Sequence, residues 1–290
     1  MKQYSISLGL AVMMAAVTFT SCSSDEQDDI AVVKGERVIG LTSTVLATRG
    51  TADVQTNQLA NGVQVGAFGV SGGTTITNGV NNAYTADGNG GLTKVSADMS
   101  CSGSATIYAY APYQSSWTSY SAAQIFSVST DQSADGYLAS DLLWASADAT
   151  SGTASLSFTH KLSRVCITLT NKTAAALSDV SVSILNTKIA TTLNPSTGAL
   201  GDASNAATIT LVSNQSVAVN GSVTAYGIIV PQEVEDGQDL VAVTYGAKTI
   251  KWSTNGEVNF ASGNAYTIAI EITDTSISGQ ISTNASVPAL

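Results

Sequence analysis

One alternating apolar pattern changes face in the middle of this chain, between positions 138 and 171. Before the change the apolar residues stand at even positions, and after it they stand at odd positions. They are Leu156, Phe158 and Leu162, followed by Val165, Ile167 and Leu169. Because successive side chains of a strand point to opposite faces, the change requires a bulge or a new partner strand. We therefore expect the chain to leave the core of one domain here and to enter the core of a second.

Short alternating segments occur on both sides of this crossing. In the first half they are predicted at 63–70, 105–111 and 124–129, and in the second half they include 180–184, 226–230, 241–245 and 266–272. Glycine-rich and asparagine-rich turns separate them, and no heptad pattern indicates long helices. The pattern predicts an all-β protein of two tandem antiparallel β-sandwiches, covering residues 36–154 and 155–275.

The N-terminus has the pattern of a lipoprotein signal. Lys2 precedes a short apolar run that ends at Cys22, so residues 1–21 are predicted to be a signal peptide. The Cys22 thiol would take the diacylglyceryl group, and several acyl chains would give a stable anchor. Residues 22–35 form an acidic tether that cannot bury enough apolar surface to fold. A plain signal peptide followed by a chance cysteine is the alternative.

Two motifs near the crossing carry a family resemblance. Ser140-Asp141-Leu142-Leu143, followed by the run from Phe158 to Val165 (FTHKLSRV), resembles the fimbrillin-like lipoproteins, which are type V pilus subunits of Gram-negative anaerobes. The resemblance implies transthyretin-like Greek-key topology and a fimbrium at the cell outer membrane. It also implies that the acidic tether is an export signal, for which a plain solvated linker is the alternative.

The resemblance further implies assembly by exchange of β-strands. An arginine-specific protease would cut between Arg49 and Gly50, with Lys34 and Arg37 as competing basic sites. The cut would free a removable first strand whose inward residues are Ile39, Leu41, Val45 and Ala47. The alternating tail over 276–290 would fill the vacated groove of the next subunit. Its apolar residues include Ile277, Ile281, Ala285 and Val287. A tail that packs on its own domain is the alternative.

Residues suited to catalysis or metal binding are sparse. His160 is the only histidine, and we interpret it as a satisfied residue of the domain junction. Its neighbours Lys161 and Arg164 are interpreted as solvated or paired charges that flank the strand. The acidic group at 233–239 lacks calcium-loop spacing and is interpreted as a solvated loop. The glycine-rich segment 87–91 is interpreted as a turn, because no helix pattern follows it. We expect no enzyme activity, no metal and no cofactor.

Two further cysteines, Cys101 and Cys166, fall in different predicted domains. A disulfide is permitted in an exported protein, but two buried thiols are the preferred interpretation.

The net charge of −10 disfavours nucleic acid as a partner. The resemblance implies that the partners are other pilus subunits, of the same or a different kind, and the outer membrane, which the lipid anchor would reach. An alternative function comes from the densest aromatic group, which would stack on sugar rings in a lipid-anchored, monomeric adhesive protein that binds host or bacterial glycans. Core packing is the simpler explanation of that group. Its members are Tyr108, Tyr110, Tyr113, Trp117 and Tyr120, with Trp144 and Trp252 as further candidates.

Overall fold

The computed structural model describes residues 35–46, 55, 57–150 and 152–284, and nearly all regular structure in them is β-strand. The first half contains β1 (Arg37–Val38), β2 (Gly40–Val45), β3 (Gln64–Ser71), β4 (Thr74–Thr75), β5 (Asn82–Ala86), β6 (Gly91–Lys94), β7 (Ser100–Cys101), β8 (Ala105–Ala111), β9 (Gln124–Ser127), α1 (Gly136–Ala139), β10 (Leu143–Ala149) and β11 (Thr153–His160). Across these described ranges, no helix has the length and apolar character needed to cross a bilayer.

The second half contains β12 (Ser163–Asn171), β13 (Leu177–Asn194), β14 (Ala199–Leu200), β15 (Ser204–Val217), β16 (Ser222–Ile229), β17 (Gln232–Val234), β18 (Asp239–Tyr245), β19 (Lys248–Ser253), β20 (Val258–Phe260), β21 (Ala265–Ile272) and β22 (Ile277–Asn284). The all-β prediction is therefore confirmed.

The strands of the first half close into a ring. Their order is β3-β5-β6-β2-β11-β10-β8, and β8 pairs with β3 again. The ring is held by few residue pairs at β2–β6 and at β10–β11. It encloses an apolar core that includes Phe158, Leu156 and Ile107. The first half is thus one sheet closed on itself, whereas the sequence predicted a β-sandwich.

The second half is a sandwich of two sheets. One sheet has the order β16-β12-β21-β22, and the other is built on β13, which pairs with β14, β15, β18 and β9. Alternating residues of both sheets meet in a second core, among them Ile167 of β12, Val182 of β13 and Ile268 of β21. The two inner faces are close-packed because these alternating residues are β-branched or apolar.

Two strand pairs correct the prediction that both halves are purely antiparallel. The register of β2 with β11 is parallel, and so is that of β12 with β21. In each half, therefore, an early strand lies beside a late strand that runs in the same direction. Such pairs need a long connection between them, which the intervening strands supply. The Greek-key connectivity stays a prediction.

The predicted change of face is confirmed and marks the passage between the two cores. Leu156 and Phe158 of β11 face the first core, whereas Val165 and Ile167 of β12 face the second. Leu162, which shares the earlier parity, already belongs to the second core. The sheet changes at residues 161–162, whereas the predicted boundary at 154/155 falls inside β11. The division into two domains stays a prediction, because the described residues belong to one compact unit.

Strand β9 ties the first half to the second. It was predicted as part of the first sandwich, but it pairs antiparallel with β13 over Ala190–Leu193. Nearby, Trp144 Nε1 donates to the carbonyl oxygen of Pro195 at 2.7 Å. A side-chain carbon at Gly198 would lie only 2.6 Å from the indole ring of Trp144, so glycine is required at that position for the turn to approach the ring.

Candidate functional site

The first strand, defined here as Arg37–Val45, contributes β2 to the closed ring of strands. Its inward residues Ile39, Leu41 and Val45 are all buried, as predicted, and Ser43 is buried with them. β2 lies between β6 and β11 and hydrogen-bonds to both. Further backbone bonds join Ser43 N–H to Gly90 and Val45 N–H to Asn57. Loss of β2 would leave a slot with an unpaired backbone edge on each side.

Polar contacts fix the beginning of the first strand. The Glu36 carboxylate accepts hydrogen bonds from Ser100 Oγ at 2.6 Å and from Thr77 Oγ1 at 3.2 Å. The backbone N–H of Ile39 donates to the carbonyl oxygen of Met99 at 2.9 Å. β1 also pairs with β7, so that Arg37 stands opposite Cys101. Arg37 is therefore part of a paired strand.

A buried polar network, which we call the junction network, consists of Gln55, Asp141 and His160. His160 Nδ1 lies 3.0 Å from Asp141 Oδ1, and both side chains are completely buried. His160 Nε2 lies 3.0 Å from the backbone oxygen of Gln55, and Gln55 Nε2 donates to Asp141 Oδ2 at 3.5 Å. Since a carbonyl oxygen only accepts, Nε2 carries the hydrogen in its bond, and another hydrogen lies between Nδ1 and Oδ1.

The junction network explains why the two quoted motifs occur together. Asp141 belongs to the first motif and His160 to the second, and they meet at the end of β11, where the chain passes from one core to the other. The interpretation of His160 as a satisfied junction residue is confirmed. Sequence reasoning missed Asp141 and Gln55 as its partners, although an aspartate in one motif and the lone histidine in the other were a signal that the two would pair.

Arg164 and Ser163, also in the second motif, are structural residues as well. Arg164 is buried, its Nε donates to Tyr137 Oη at 3.1 Å, and its guanidinium lies 4.8 Å from the centre of the Tyr226 ring. Ser163 Oγ donates to the carbonyl oxygen of Ala261 at 2.8 Å. Arg164 is thus a packed cation that holds α1 against the outer face of β12 and β16, and not a solvated charge.

The terminal strand, β22, pairs antiparallel with β21 along its whole length. Ile277 and Ile281 pack against the second core, whereas Ser278, Gln280 and Ser282 are exposed, so the predicted alternation is confirmed. In this chain the tail over Ile277–Asn284 packs on its own domain, as the alternative interpretation predicted, because the turn at 273–276 folds it back on β21. Thr273 Oγ1 accepts the backbone N–H of Ser276 at 3.0 Å and stabilises that turn.

Several predicted site residues lie outside the described residues. They are Cys22, Ala47, Arg49, Gly50, Ala285 and Val287.

The aromatic group is mostly core, as its simpler explanation predicted. Tyr110 and Trp117 are buried with ring centres 4.0 Å apart. Trp117 Nε1 donates to the carbonyl oxygen of Ile125 at 2.8 Å, and the Tyr110 hydroxyl donates to Asn81 Oδ1 at 2.6 Å. Trp144 is covered on one side by Gly198 and has the Lys161 ammonium 5.6 Å from its ring centre. Burial lowers the pKa of Lys161. The rings of Tyr110 and Trp117 therefore offer no open platform for a sugar.

Two carboxylates of the acidic group have local hydrogen-bond partners, and the side chains of Glu233 and Glu235 are exposed to solvent. Asp239 accepts hydrogen bonds from Ser253 Oγ and Lys251 Nζ, which together hold the pKa of its carboxyl group below the usual range. Asp236 accepts the backbone N–H of Gly256. Glu233 lies in β17, not in a loop as predicted. Throughout the described part of the chain, no cluster of acidic, cysteine and histidine side chains is suited to hold a metal ion.

The segment 87–91 is a turn, as predicted: Asp87 Oδ1 accepts the backbone N–H groups of Asn89 and Gly91. Cys101 and Cys166 are both free thiols, as the preferred interpretation predicted, but only Cys101 is buried and Cys166 is half-buried. Burial raises the pKa of Cys166, so its reactive thiolate form is disfavoured.

Comparison with known proteins gives a family and a fold. A family model described as fimbrillin-like matches residues 48–287. No curated protein matches the chain significantly. Among solved structures, a candidate cell adhesion protein of Bacteroides ovatus is 17% identical with a TM-score of 0.66, over 87% of this chain and 99% of that one.

A candidate cell adhesion protein of Bacteroides uniformis is 21% identical with a TM-score of 0.63, over 86% of this chain and 97% of that one. A third such protein, from Bacteroides fragilis, is 11% identical with a TM-score of 0.53, over 88% of this chain and 99% of that one. At these identities the three structures establish a shared fold.

Proposed function

This chain belongs to the fimbrillin-like family, and from that premise we propose that it is a pilus subunit which an arginine-specific protease processes and which polymerises by exchange of β-strands. Members of this family are surface proteins of pilus or adhesin type and are structural proteins, not enzymes. The expectation that the chain is not an enzyme therefore agrees with its family. Processing and strand exchange are the parts that we propose.

The position of the first strand carries this proposal. It supplies three buried apolar side chains to the ring, and within the ring its β2 part lies between β6 and β11. Removal of the strand after a cut at Arg49 would leave an apolar slot the length of β2. The exposed backbone edges of β6 and β11 would then favour the addition of a strand from another chain.

The terminal strand is the donor in this proposal. Its apolar and polar residues alternate, so one face of the strand could pack on the apolar core of the ring while the other faces solvent. In its own sandwich Ile277 and Ile281 are only half-buried, whereas Ile39, Leu41 and Val45 are almost completely buried in the ring. Moving from the first environment to the second would gain on the order of 1 kcal/mol for each isoleucine. Ala285 and Val287 would extend the same face.

The remaining parts of the proposal concern location and partners. Lipid attached to Cys22 would anchor the precursor in the outer membrane, and the acidic tether would carry it to the cell surface. Its partners would be other pilus subunits, of the same or of a different kind. Because the donor of one subunit enters the slot of the next, the contact is head-to-tail and produces open filaments.

Replacement of Cys22 by alanine is expected to abolish lipid attachment. The apolar run of the signal is too short to span a bilayer, so the thiol is the only attachment point in the proposal. Metabolic labelling with a fatty-acid probe should give label in the parent and none in Cys22→Ala. Cys166→Ala is the matched control and should keep its label. Equal labelling of Cys22→Ala and the parent would disprove the anchor.

Cleavage by an arginine-specific protease is expected to give a product that begins at Gly50. Arg37 belongs to the paired strand β1 and is therefore protected. Mass spectrometry should find this product in the parent and in the control Arg37→Ala, but not in Arg49→Ala. A dominant product with any other first residue would show that Arg49 is not the processing site.

A further inference from the structure

A polar cleft of about 480 Å³ lies beside the terminal strand, in the second half. One wall is formed by β22 and the other by β19 and the segment that leads into β20. Its lining combines carboxamides, one carboxylate and aromatic rings. The residues that matter for its chemistry are Trp252, Asn255, Glu257, Asn259, Gly279 and Gln280.

Trp252 presents an indole N–H donor with no hydrogen-bond partner among the described residues. The other two tryptophans donate to backbone oxygens, Trp117 to Ile125 and Trp144 to Pro195. The Trp252 residue as a whole is only 8% exposed. Its Nε1 atom is nevertheless accessible to solvent. The donor is thus open to the cleft that its side chain lines. Water in the cleft accepts from this donor in the free protein, and an acceptor group of a ligand can take the place of that water.

Gly279 allows the indole edge to lie in the cleft wall. A side-chain carbon at this position would stand 2.6 Å from Trp252 Cε2 and 2.7 Å from Trp252 Nε1. No real Cβ atom tolerates such contacts, so only glycine permits β22 to pass this close to the indole. The approach is unrelated to turn formation, because Gly279 lies inside a regular strand.

Four polar side chains of the lining, those of Asn255, Glu257, Asn259 and Gln280, form no hydrogen bonds within the described residues, whereas the Tyr266 hydroxyl donates to the carbonyl oxygen of Asn259. The side-chain amides of Asn255, Asn259 and Gln280 each offer both donors and acceptors, and Glu257 offers acceptors. No lysine, arginine or histidine lines the cleft, and the net charge of the chain is −10, so an anionic ligand is disfavoured. Hydroxyl groups, which donate and accept at once, match this lining, and the apolar side chains of Val258 and Ile281 match the C–H face of a sugar ring.

We propose that this cleft is a binding site for a neutral saccharide, held by the Trp252 indole N–H and the three carboxamides. The site is independent of strand exchange in the subunit whose terminal strand is in place. Because β22 forms one wall, however, the site exists only while β22 pairs with β21. A subunit that has given its terminal strand to a neighbour would lack it.

The test uses the full mature chain before any protease treatment, so that failure of filament assembly cannot affect the result. The chain has three tryptophans, so a ¹H–¹⁵N spectrum contains three indole signals, and Trp252→Phe identifies the one in the cleft. Neutral mono- and disaccharides are the probes, namely glucose, galactose, mannose, N-acetylglucosamine and lactose. At least one should move the Trp252 signal in a saturable way, while the signals of Trp117 and Trp144 stay in place.

Substitution of the lining distinguishes this site from general sugar binding. Gln280→Ala should weaken the affinity by about tenfold, the loss expected for one hydrogen-bonding group. Gln215→Ala, which removes an exposed glutamine from another strand, should leave it unchanged. No saturable movement of the Trp252 signal with any probe up to about 50 mM, well above a millimolar Kd, would overturn the proposal. Equal affinities of the Gln280→Ala and Gln215→Ala variants would also overturn it.

Discussion

Filaments are expected to disappear completely when the terminal strand is removed by truncation after Thr275, and also when Ile281 is replaced by aspartate. In the proposed assembly the Ile281 side chain enters an apolar slot, where an unpaired carboxylate costs several kcal/mol. Purified protein treated with the arginine-specific protease should form filaments for the parent, visible by electron microscopy, and none for either variant.

Ser282→Asp is the matched control for this experiment. It places the same charge one residue along the same strand, but on the exposed face. It should therefore assemble as the parent does. Ile281 also packs against the second core of its own subunit, so the substitution could unfold the protein. Circular dichroism of the untreated variants checks that each is folded. Filaments of equal amount in the parent, the truncation and Ile281→Asp would show that this strand is not the donor.

The free energy of unfolding is expected to fall by about 3–5 kcal/mol in Asp141→Ala, because removing one partner of a buried pair leaves the other unsatisfied. His160 and Asp141 are both completely sealed from solvent, so water cannot replace the lost contact. The loss would also release Gln55, which the pair holds against the end of β11. Urea unfolding followed by tryptophan fluorescence measures the change.

Asp239→Ala is the comparison for this substitution, since its carboxylate pairs with Lys251 at the surface. Solvent screens that pair, and little loss of stability is expected. The double variant Asp141→Leu with His160→Leu should recover much of the loss of Asp141→Ala, because it removes both polar partners at once. If the free energy of unfolding fell equally in Asp141→Ala and Asp239→Ala, the junction network would stabilise the fold no more than a surface ion pair does.

Local pattern was enough to predict most strands and the crossing between the two cores. The segment 105–111 is β8 with both bounds correct, and the change of face between Phe158 and Val165 marks the passage between cores. Alternation reports which face of a strand is buried, and it reports this well wherever one face meets a core.

Partnership between distant strands could not be read in the same way. The segment 124–127 alternates like its neighbours, and nothing local assigns it to β13 across the molecule. The sequence also gives no sign that β2 pairs in parallel with β11, because side chains alternate with a period of two residues in parallel and antiparallel strands alike. Trp252 was noticed as an aromatic residue, but its free N–H became visible only once the partners of all three tryptophans were known.

The first strand pairs in parallel with β11, a strand that is distant in sequence, and this explains how one cut in the backbone can release it. The cut at Arg49 would break no hydrogen bond of β2, whose partners lie at residue 57 and in the segments 90–92 and 152–158. Before the cut, the covalent link to β3 gives the strand an effective concentration in the millimolar range, so it returns after every opening. After the cut the same strand is a free peptide at the protein's own far lower concentration. The hydrogen bonds are unchanged, yet the strand no longer competes with an incoming chain.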